Sequence, residues 1–331
     1  MGISVAVIVP YYHRQSGVLS RALKSVFCQQ GDLDLRVIVV DDGAPWPAEA
    51  EIQGLRQQDR CRILLLKQRN QGAGIARNAG LDAAPPVDLI AFLDSDDAWE
   101  ECHLWRAAAA INKGIDFYFG DSRTVGVRLT LFEASGFEAG GHYRICDDPE
   151  IYEYKGDFVN ALLRLPVLST SSVVLRNNAL RNVRFPDWRM FEDLRFWVDV
   201  SIRSARIGFS PHVAVMSDAD GVHISHVTDW KTNKSLYRLL AQTTFLRDLR
   251  ERVPLPHESQ NLVAQKLAES RKAFAVTFMA MIKARRLPDS RTVWKFVLGQ
   301  IHAVMDVASV TPRHAVPVAR SAVSDRRSNN D

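Results

Sequence analysis

Four short apolar runs separated by helix-like or turn-like sequence fill the first hundred residues, and that alternation narrows the fold to an α/β sheet of mostly parallel strands. The runs are Ser4–Pro10, Leu35–Val40, Arg62–Leu66 and Leu89–Leu93. Between the first two, Leu19, Ala22, Leu23, Val26 and Phe27 recur at the spacing of one helical face. A further helix is expected over Gly72–Ala84, where Pro85 and Pro86 stop it. Ligands of open α/β sheets bind outside the carboxyl ends of the strands. Three of those ends read Pro10-Tyr11-Tyr12, Asp41-Asp42-Gly43 and Asp94-Ser95-Asp96-Asp97. Clustered carboxylates repel one another, and a cation or a donor-rich ligand relieves that repulsion.

Past Asp97 the pattern is mixed. Asp116–Phe119, Thr124–Leu131 and Leu168–Leu175 read as strands, and Asp157–Leu165 as a short helix. Phe191–Ala205 reads as a helix with Leu194, Trp197, Val198 and Ile202 on one face, and Gly136–Gly141 as a mobile glycine-rich loop. Beyond Trp230 the sequence looks helical throughout. Val293, Trp294, Val297, Leu298, Ile301, Val304, Met305 and Ala308 form one amphipathic stripe there, and Ala322–Asp331 reads as a frayed end. A chain of 331 residues accommodates two domains, or one domain with an appendix. The expected division is 1–98, 99–230 and a helical extension over 231–331.

Charge follows that division. The net charge of +4 combines 18 Lys/Arg against 8 Asp/Glu in residues 231–331 with 24 against 30 in residues 1–230. A basic segment on an acidic body suggests an anionic partner, or simply a solvated helical face. The four cysteines are scattered without metal-ligand spacing and read as free thiols of a reducing compartment. With no apolar run of membrane-spanning length and no leader-like start, the expected location is the cytoplasm.

Four segments carry chemistry. Asp94 and Asp96 flank one residue at the end of a buried strand, a spacing that suits a hard cation such as Mg²⁺ or Mn²⁺ bound together with a diphosphate. The alternative is a helix N-cap by Ser95 or Asp97, in a helix that includes Trp99. Asp42 ends a strand before a glycine, where a carboxylate accepts hydrogen bonds from a base or ribose, or merely marks a turn. Asn70–Ala84 (NQGAGIARNAGLDAA) offers glycines for close approach, and Arg77 for a phosphate or base edge. It is neither a GxGxxG fingerprint nor a P-loop. Glu192-Asp193 opens the helix at Phe191 and supplies either a general base or ordinary helix N-terminal acids.

In order, VAVIVPYYHR, ALKSVFCQQ, VIVVDDG, NQGAGIARNAGL and IAFLDSDDAW closely resemble the amino-terminal half of family 2 glycosyltransferases, which have the GT-A fold. The resemblance is strong over residues 3–105 and looser to about 215. It implies a Rossmann-like donor half and inverting transfer from a nucleotide-diphosphate sugar, usually a UDP-sugar, with a divalent cation held by the DxD. The helical carboxyl-terminal extension is read from the sequence beyond Trp230. By position, Pro10 and Tyr12 match the nucleotide wall, Asp42 the uracil or ribose carboxylate, and Arg77 the arginine that contacts base or phosphate. Asp94 and Asp96 match the metal-binding DxD, and Asp193 matches the catalytic base of the family's ED motif. Ala44 replaces the serine that usually follows DDG. In GVHISH, with His223 beside it, His226 matches the further metal or phosphate contact that transferases of this fold often supply, or is a surface-loop histidine without a role. The processive QxxRW signature is absent, which favours single addition.

The resemblance further implies a glycan or lipid-linked oligosaccharide acceptor, in exopolysaccharide or lipopolysaccharide synthesis, and not a nucleic-acid partner. The basic segment would fit peripheral contact with an anionic membrane, at the inner face of the cytoplasmic membrane, or packing on the body or on a second copy. Two other functions compete. A sugar-phosphate nucleotidyltransferase normally carries a basic glycine-rich loop after its first strand, where this chain has YYHRQSG. A degenerate sugar-nucleotide-binding subunit has no need of intact Asp94, Asp96 and Asp193.

Overall fold

The computed structural model describes residues 2–147, 149–180, 182–218, 232–284 and 293. The amino-terminal half runs β1 (Ile3–Tyr11), α1 (Val18–Phe27), β2 (Leu33–Asp41), α2 (Ala48–Gln53), α3 (Gln57–Arg60), β3 (Ile63–Lys67), α4 (Ala73–Ala83) and β4 (Leu89–Phe92). Then come β5 (Asp97–Trp99), α5 (His103–Asn112), β6 (Phe117–Thr124), α6 (Leu131–Ser135), β7 (Tyr143–Cys146), β8 (Ile151–Glu153) and α7 (Phe158–Arg164). The chain continues through β9 (Val173–Arg176), α8 (Glu192–Arg203), β10 (Ile207–Ser217), α9 (Asn233–Arg252) and α10 (His257–Lys283).

One sheet holds all ten strands in the order β3-β2-β1-β4-β9-β6-β10-β8-β7, with β5 pairing β10. β3, β2, β1 and β4 are mutually parallel. β9 enters antiparallel between β4 and β6, so β6 and the parallel β10 run the same way as the first four. The sheet is therefore mostly parallel in strand direction.

β1 is central and buried on both faces, and its period of two divides the core. Val5, Val7 and Val9 pack with residues of α1 and α5, whereas Ala6 and Ile8 pack toward α4. Helix α4 lies so close to β1 that a Cβ on Gly80 would sit 2.6 Å from Ile8 Cγ2, which explains a glycine inside that helix. Joining the end of β4 to the first half of β6, Phe92, Phe117, Phe119, Phe158, Phe185, Phe196 and Trp197 build an aromatic layer of mostly edge-to-face contacts.

Several expectations are corrected here. Thr124–Leu131 is not a strand: β6 ends at Thr124, Gly126 turns the chain at φ 79°, and α6 begins after Thr130. Thr130 and Glu133 form a reciprocal capping box, a local signal that outweighs the apolar alternation. Leu168–Leu175 opens as a 3₁₀ turn at Thr170–Ser172 before β9. Neither Ser95 nor Asp97 caps a helix, because Asp97–Trp99 pairs with β10. Within Gly136–Gly141, Phe137 is buried and its ring lies 4.7 Å from Phe132, which pins the start of that loop.

The chain divides into two compact units, residues 1–228 with 241–268, and residues 229–240 with 269–331. The first contains the whole sheet, and Phe245, Leu246, Leu249, Leu262 and Val263 belong to its core. The second has a core of its own in Leu236, Leu240, Phe274, Phe278, Met281 and Val293. Most of the amphipathic stripe, Trp294–Ala308, and the end Ala322–Asp331 lie outside the described residues. Among the described residues no helix is long and apolar enough to cross a membrane.

His103 generates a pH prediction. Its ring is fully buried, 5.0 Å from Trp99 and 6.1 Å from Tyr118, and burial, then the charge of Arg106, lowers its pKa from 6.5 to about 3. The unfolded chain takes up this proton first, so the contribution is intact above pH ~6.5 and is lost as pH falls from there toward 3. Urea unfolding between pH 7 and 5 is expected to show a shallower pH slope for His103→Phe, by up to about 1.4 kcal/mol per pH unit. Parallel slopes would contradict the buried neutral ring.

Candidate active site

The carboxyl ends of β1, β2 and β4 converge as the parallel topology requires, and β1 sets the geometry. Pro10 falls after the register with β4 has ended at Ile8–Phe92, so its missing N–H breaks no ladder on that side. Pro10 is buried and Tyr12 is 44% exposed. His13 Nε2 lies 3.0 Å from Ser95 Oγ, joining the end of β1 to the turn after β4.

The two aspartates ending β2 divide their work. Asp41 accepts from the Ala44 and Ala48 amides at 2.8 and 3.0 Å, holding the loop into α2. The bond from the Ala44 backbone needs no serine side chain. Asp42 accepts from Gln68 Nε2 at 2.7 Å and from the Gln71 and Gly72 amides at 2.8 Å each. The buried Asp42 carboxylate thus organises the loop into α4 with both its oxygens.

Arg77, on the second turn of α4, is 4% exposed. Its Nη2 donates to Asp94 Oδ1 at 2.5 Å, and Nη1 lies 3.9 Å from Glu192 Oε1. Its guanidinium sits 5.3 Å from the Phe185 ring centroid. Burial opposes the charge on Arg77, and Asp94, Glu192 and Asp193 more than offset that cost, keeping its pKa above the ordinary value. Next to it, Asn78 donates to the Phe185 carbonyl at 2.8 Å and accepts from the Phe185 amide at 2.9 Å. The ARNAG segment therefore grips the chain leading into α8.

That grip explains Gly74. A Cβ there would sit 2.9 Å from Glu192 Cγ and 3.3 Å from the Pro186 carbonyl, so only glycine lets α4 approach the acidic start of α8 so closely. Phe191, just before Glu192, adopts φ 63°, a left-handed conformation that is uncommon for a bulky residue. Its ring stacks on Phe245 at 5.5 Å, and Arg195, one turn into α8, is ion-paired with Asp248 at 2.7 Å. Packing on α9 thus holds the strained entry to the helix.

Asp94, Asp96, Asp97, Glu192 and Asp193 line one cavity of about 580 Å³, with Arg77 in its wall. Ser122, Thr124, Thr130, Ser169, Thr170 and Ser217 add hydroxyls. Burial, then the charge of Asp94, raises the Asp96 pKa, and the same causes push Asp97 to about 7. Burial, then Asp193, raises Glu192. Such crowding fits a divalent cation: Asp94 and Asp96 are hard oxygen donors, and Mg²⁺-type ions take one or two carboxylates plus phosphate and water. Among the described residues no group of three His, Cys, Asp or Glu side chains forms a ligand set. His223 and His226 lie outside the described residues. A larger cavity, about 1000 Å³, opens at the amino ends of β1 and β4, but its charged groups Asp88, Arg176 and Arg184 are already bound to Ser4, Asp116 and Asp82.

Residues outside the motif reading also build this site. Arg21 donates to the Asp96 carbonyl and pairs with Asp218 at 2.7 Å. Arg189 donates to Asn70 Oδ1 at 3.0 Å, between the loop before α4 and the loop before α8. Nothing local in the sequence marks either, since each acts on a distant segment.

A family model described as Glycosyl transferase family 2 matches residues 6–181. The succinoglycan biosynthesis protein ExoW of Rhizobium meliloti is 29% identical over 300 residues, covering 88% of this chain and 93% of that protein. An uncharacterized glycosyltransferase of Nostoc is 38% identical over 199 residues, 58% of this chain and 57% of its own. In fold, the chain resembles S. aureus TarS 1-349 in complex with UDP-GlcNAc, with a TM-score of 0.60, 19% identity, and coverage of 91% of this chain and 82% of that one. It also resembles a mannosyltransferase of Pyrobaculum calidifontis in complex with GDP-Man and Mn2+, with a TM-score of 0.55, 15% identity, and coverage of 92% and 81%.

The three bonds to Asp42 make its removal costly. Asp42→Ala is expected to lower the unfolding free energy by about 2–4 kcal/mol, because it strands two backbone amides beside α4. Denaturant unfolding checks this, and a loss below about 0.5 kcal/mol would contradict the scaffolding geometry.

Proposed function

The chain belongs to glycosyl transferase family 2, and from that premise we propose that it moves one sugar from a nucleotide-diphosphate sugar, a UDP-sugar, to a hydroxyl of a glycan or lipid-linked oligosaccharide, inverting the anomeric carbon. The observation that carries this reading is the single cavity bordered by Asp94 and Asp96 from the end of β4 and by Asp193 from the start of α8. The carboxylates after β4 and the Asp193 carboxylate on α8, beside an arginine-facing Glu192, match the two tasks of the reaction, supporting a leaving diphosphate and accepting a proton. The UDP-GlcNAc and GDP-Man complexes of proteins with this fold support a nucleotide-sugar donor. The name of ExoW supports a place in exopolysaccharide synthesis.

In this mechanism the Asp193 carboxylate accepts the acceptor hydroxyl proton as that oxygen attacks the anomeric carbon and the bond to the diphosphate breaks. Asp94 and Asp96 would hold Mg²⁺ or Mn²⁺, which when bound neutralises the departing diphosphate. His226 stands as a further candidate ligand. Pro10 and Tyr12 border the nucleotide. Asp42 shapes the loop that receives it, and Arg77 sets the position of Asp94 from within the wall. Residues 1–98 serve the donor and residues 99–230 the acceptor and the base.

Two expected outcomes follow. After a thermal-shift screen of UDP- and GDP-sugars has identified the donor, Asp193→Asn should reduce kcat for transfer by about 10²- to 10⁴-fold while leaving UDP affinity within about twofold. Near wild-type turnover would remove Asp193 as the base. Residues 231–331, with their excess of Lys and Arg, would attach the enzyme to the inner face of the cytoplasmic membrane. Sedimentation with phosphatidylglycerol vesicles is expected to fall when residues 290–331 are deleted. Undiminished pelleting would point instead to a role in packing on the body or in homo-oligomer contact.

A further inference from the structure

The turn Thr170–Ser172 is buried throughout and carries two fully buried serines. It precedes β9, the strand that runs antiparallel between β4 and β6, and this topology delivers it to the carboxyl end of β4. Ser171 there makes three bonds to the segment following β4. Its Oγ accepts from the Asp94 amide at 3.0 Å and donates to Asp97 Oδ2 at 2.5 Å. Its carbonyl accepts from Trp99 Nε1 at 2.6 Å. One residue, more than seventy positions away in sequence, therefore spans the whole turn from Asp94 to Trp99.

We propose that Ser171 is the positioning residue of the DxD turn, holding the Asp94 backbone and the Asp97 carboxylate so that Asp94 and Asp96 face the cavity together. The geometry explains why a hydroxyl is needed. The Asp94 amide requires an acceptor and the Asp97 carboxylate a donor, and only a group with both functions satisfies the two at once. Asp97 lines the same cavity, and its Oδ2 is occupied by the bond from Ser171. The same turn also touches the helix that carries the base: Thr170 Oγ1 accepts from Trp197 Nε1 at 3.4 Å on α8, whose second residue is Asp193. The spacing between the paired carboxylates and the base is thus referred to one buried turn. Ser171 touches no reacting atom and acts through Asp94 and Asp97.

This proposal rests on the reading of Asp94 and Asp96 as the cation pair, and its test separates the two. Mn²⁺ binding to the full chain in the presence of UDP is measured by the loss of the free-ion EPR signal, with thermal unfolding of each metal-free variant alongside. Ser171→Ala is expected to weaken Mn²⁺ binding by about 10- to 100-fold, the range seen when partners of metal ligands are removed. Ser171→Cys keeps a weak donor and acceptor in place and is expected to fall between Ser171→Ala and the parent. Should Ser171→Ala not fold, Ser171→Cys carries the test, with Mn²⁺ binding weakened beyond twofold as the expected result. Mn²⁺ affinity within twofold of the parent in a folded variant would overturn the proposal. Asp96→Asn distinguishes the failures: if it weakens Mn²⁺ binding and Ser171→Ala does not, only the role of Ser171 falls, whereas no effect of Asp96→Asn removes the cation pair itself.

Discussion

A single buried cation, Arg77, stands between the acidic end of β4 and the acidic start of α8. The desolvation of a buried guanidinium is large, and it is sustained only because Asp94 lies at 2.5 Å and two further carboxylates stand close by. Removing Asp94 leaves an uncompensated buried charge on Arg77, a change that typically costs about 3–5 kcal/mol. The arrangement ties together segments separated by about a hundred residues. Arg77 holds Asp94, Asn78 holds Phe185, and Gly74 leaves room for Glu192.

From that constraint the chemistry of the cavity follows. Five carboxylates against one arginine leave an excess of negative charge, and burial first, with that charge second, raises the pKa values of Asp96, Asp97 and Glu192. The excess is unequally distributed. Asp97 is bound by Ser171 and Glu192 faces Arg77, whereas Asp193 sits on a helix entry held by Phe191 and Phe245. Local strain at Phe191, with φ at 63°, is concentrated where the proposed base must be aimed.

Much of the first half was legible because its information is local. Each strand–helix unit carries its own period, and the acidic strand ends follow from strands that finish where their apolar runs finish. Sequence reading failed where pairing is distant or a local signal competes. β10 escaped because Gly208, Pro211 and His212 interrupt its alternation, and its register with β6 slips between Ser210 and Val213 and again between Val213 and Val215. The Thr130–Glu133 capping box turned an expected strand into α6. In the site, Asp94, Asp96 and Asp193 were found by motif and do line one cavity. The enclosure of Arg77 and the occupation of Asp42 by the loop over residues 68–72 were not legible, since each depends on partners that only the fold supplies.

In the proposed mechanism the carboxylates of Asp94 and Asp96 would share one ion with the donor diphosphate, opposite Asp193. A crystal structure of the full chain with Mn²⁺ and UDP, read by anomalous scattering at the manganese edge, addresses it directly. The expected result is a peak at about 2.0–2.2 Å from an oxygen of Asp96 or Asp94 and from the diphosphate, with Asp193 facing the open side of the same cavity. Density for UDP with its diphosphate elsewhere, or manganese bound away from both aspartates, would contradict it.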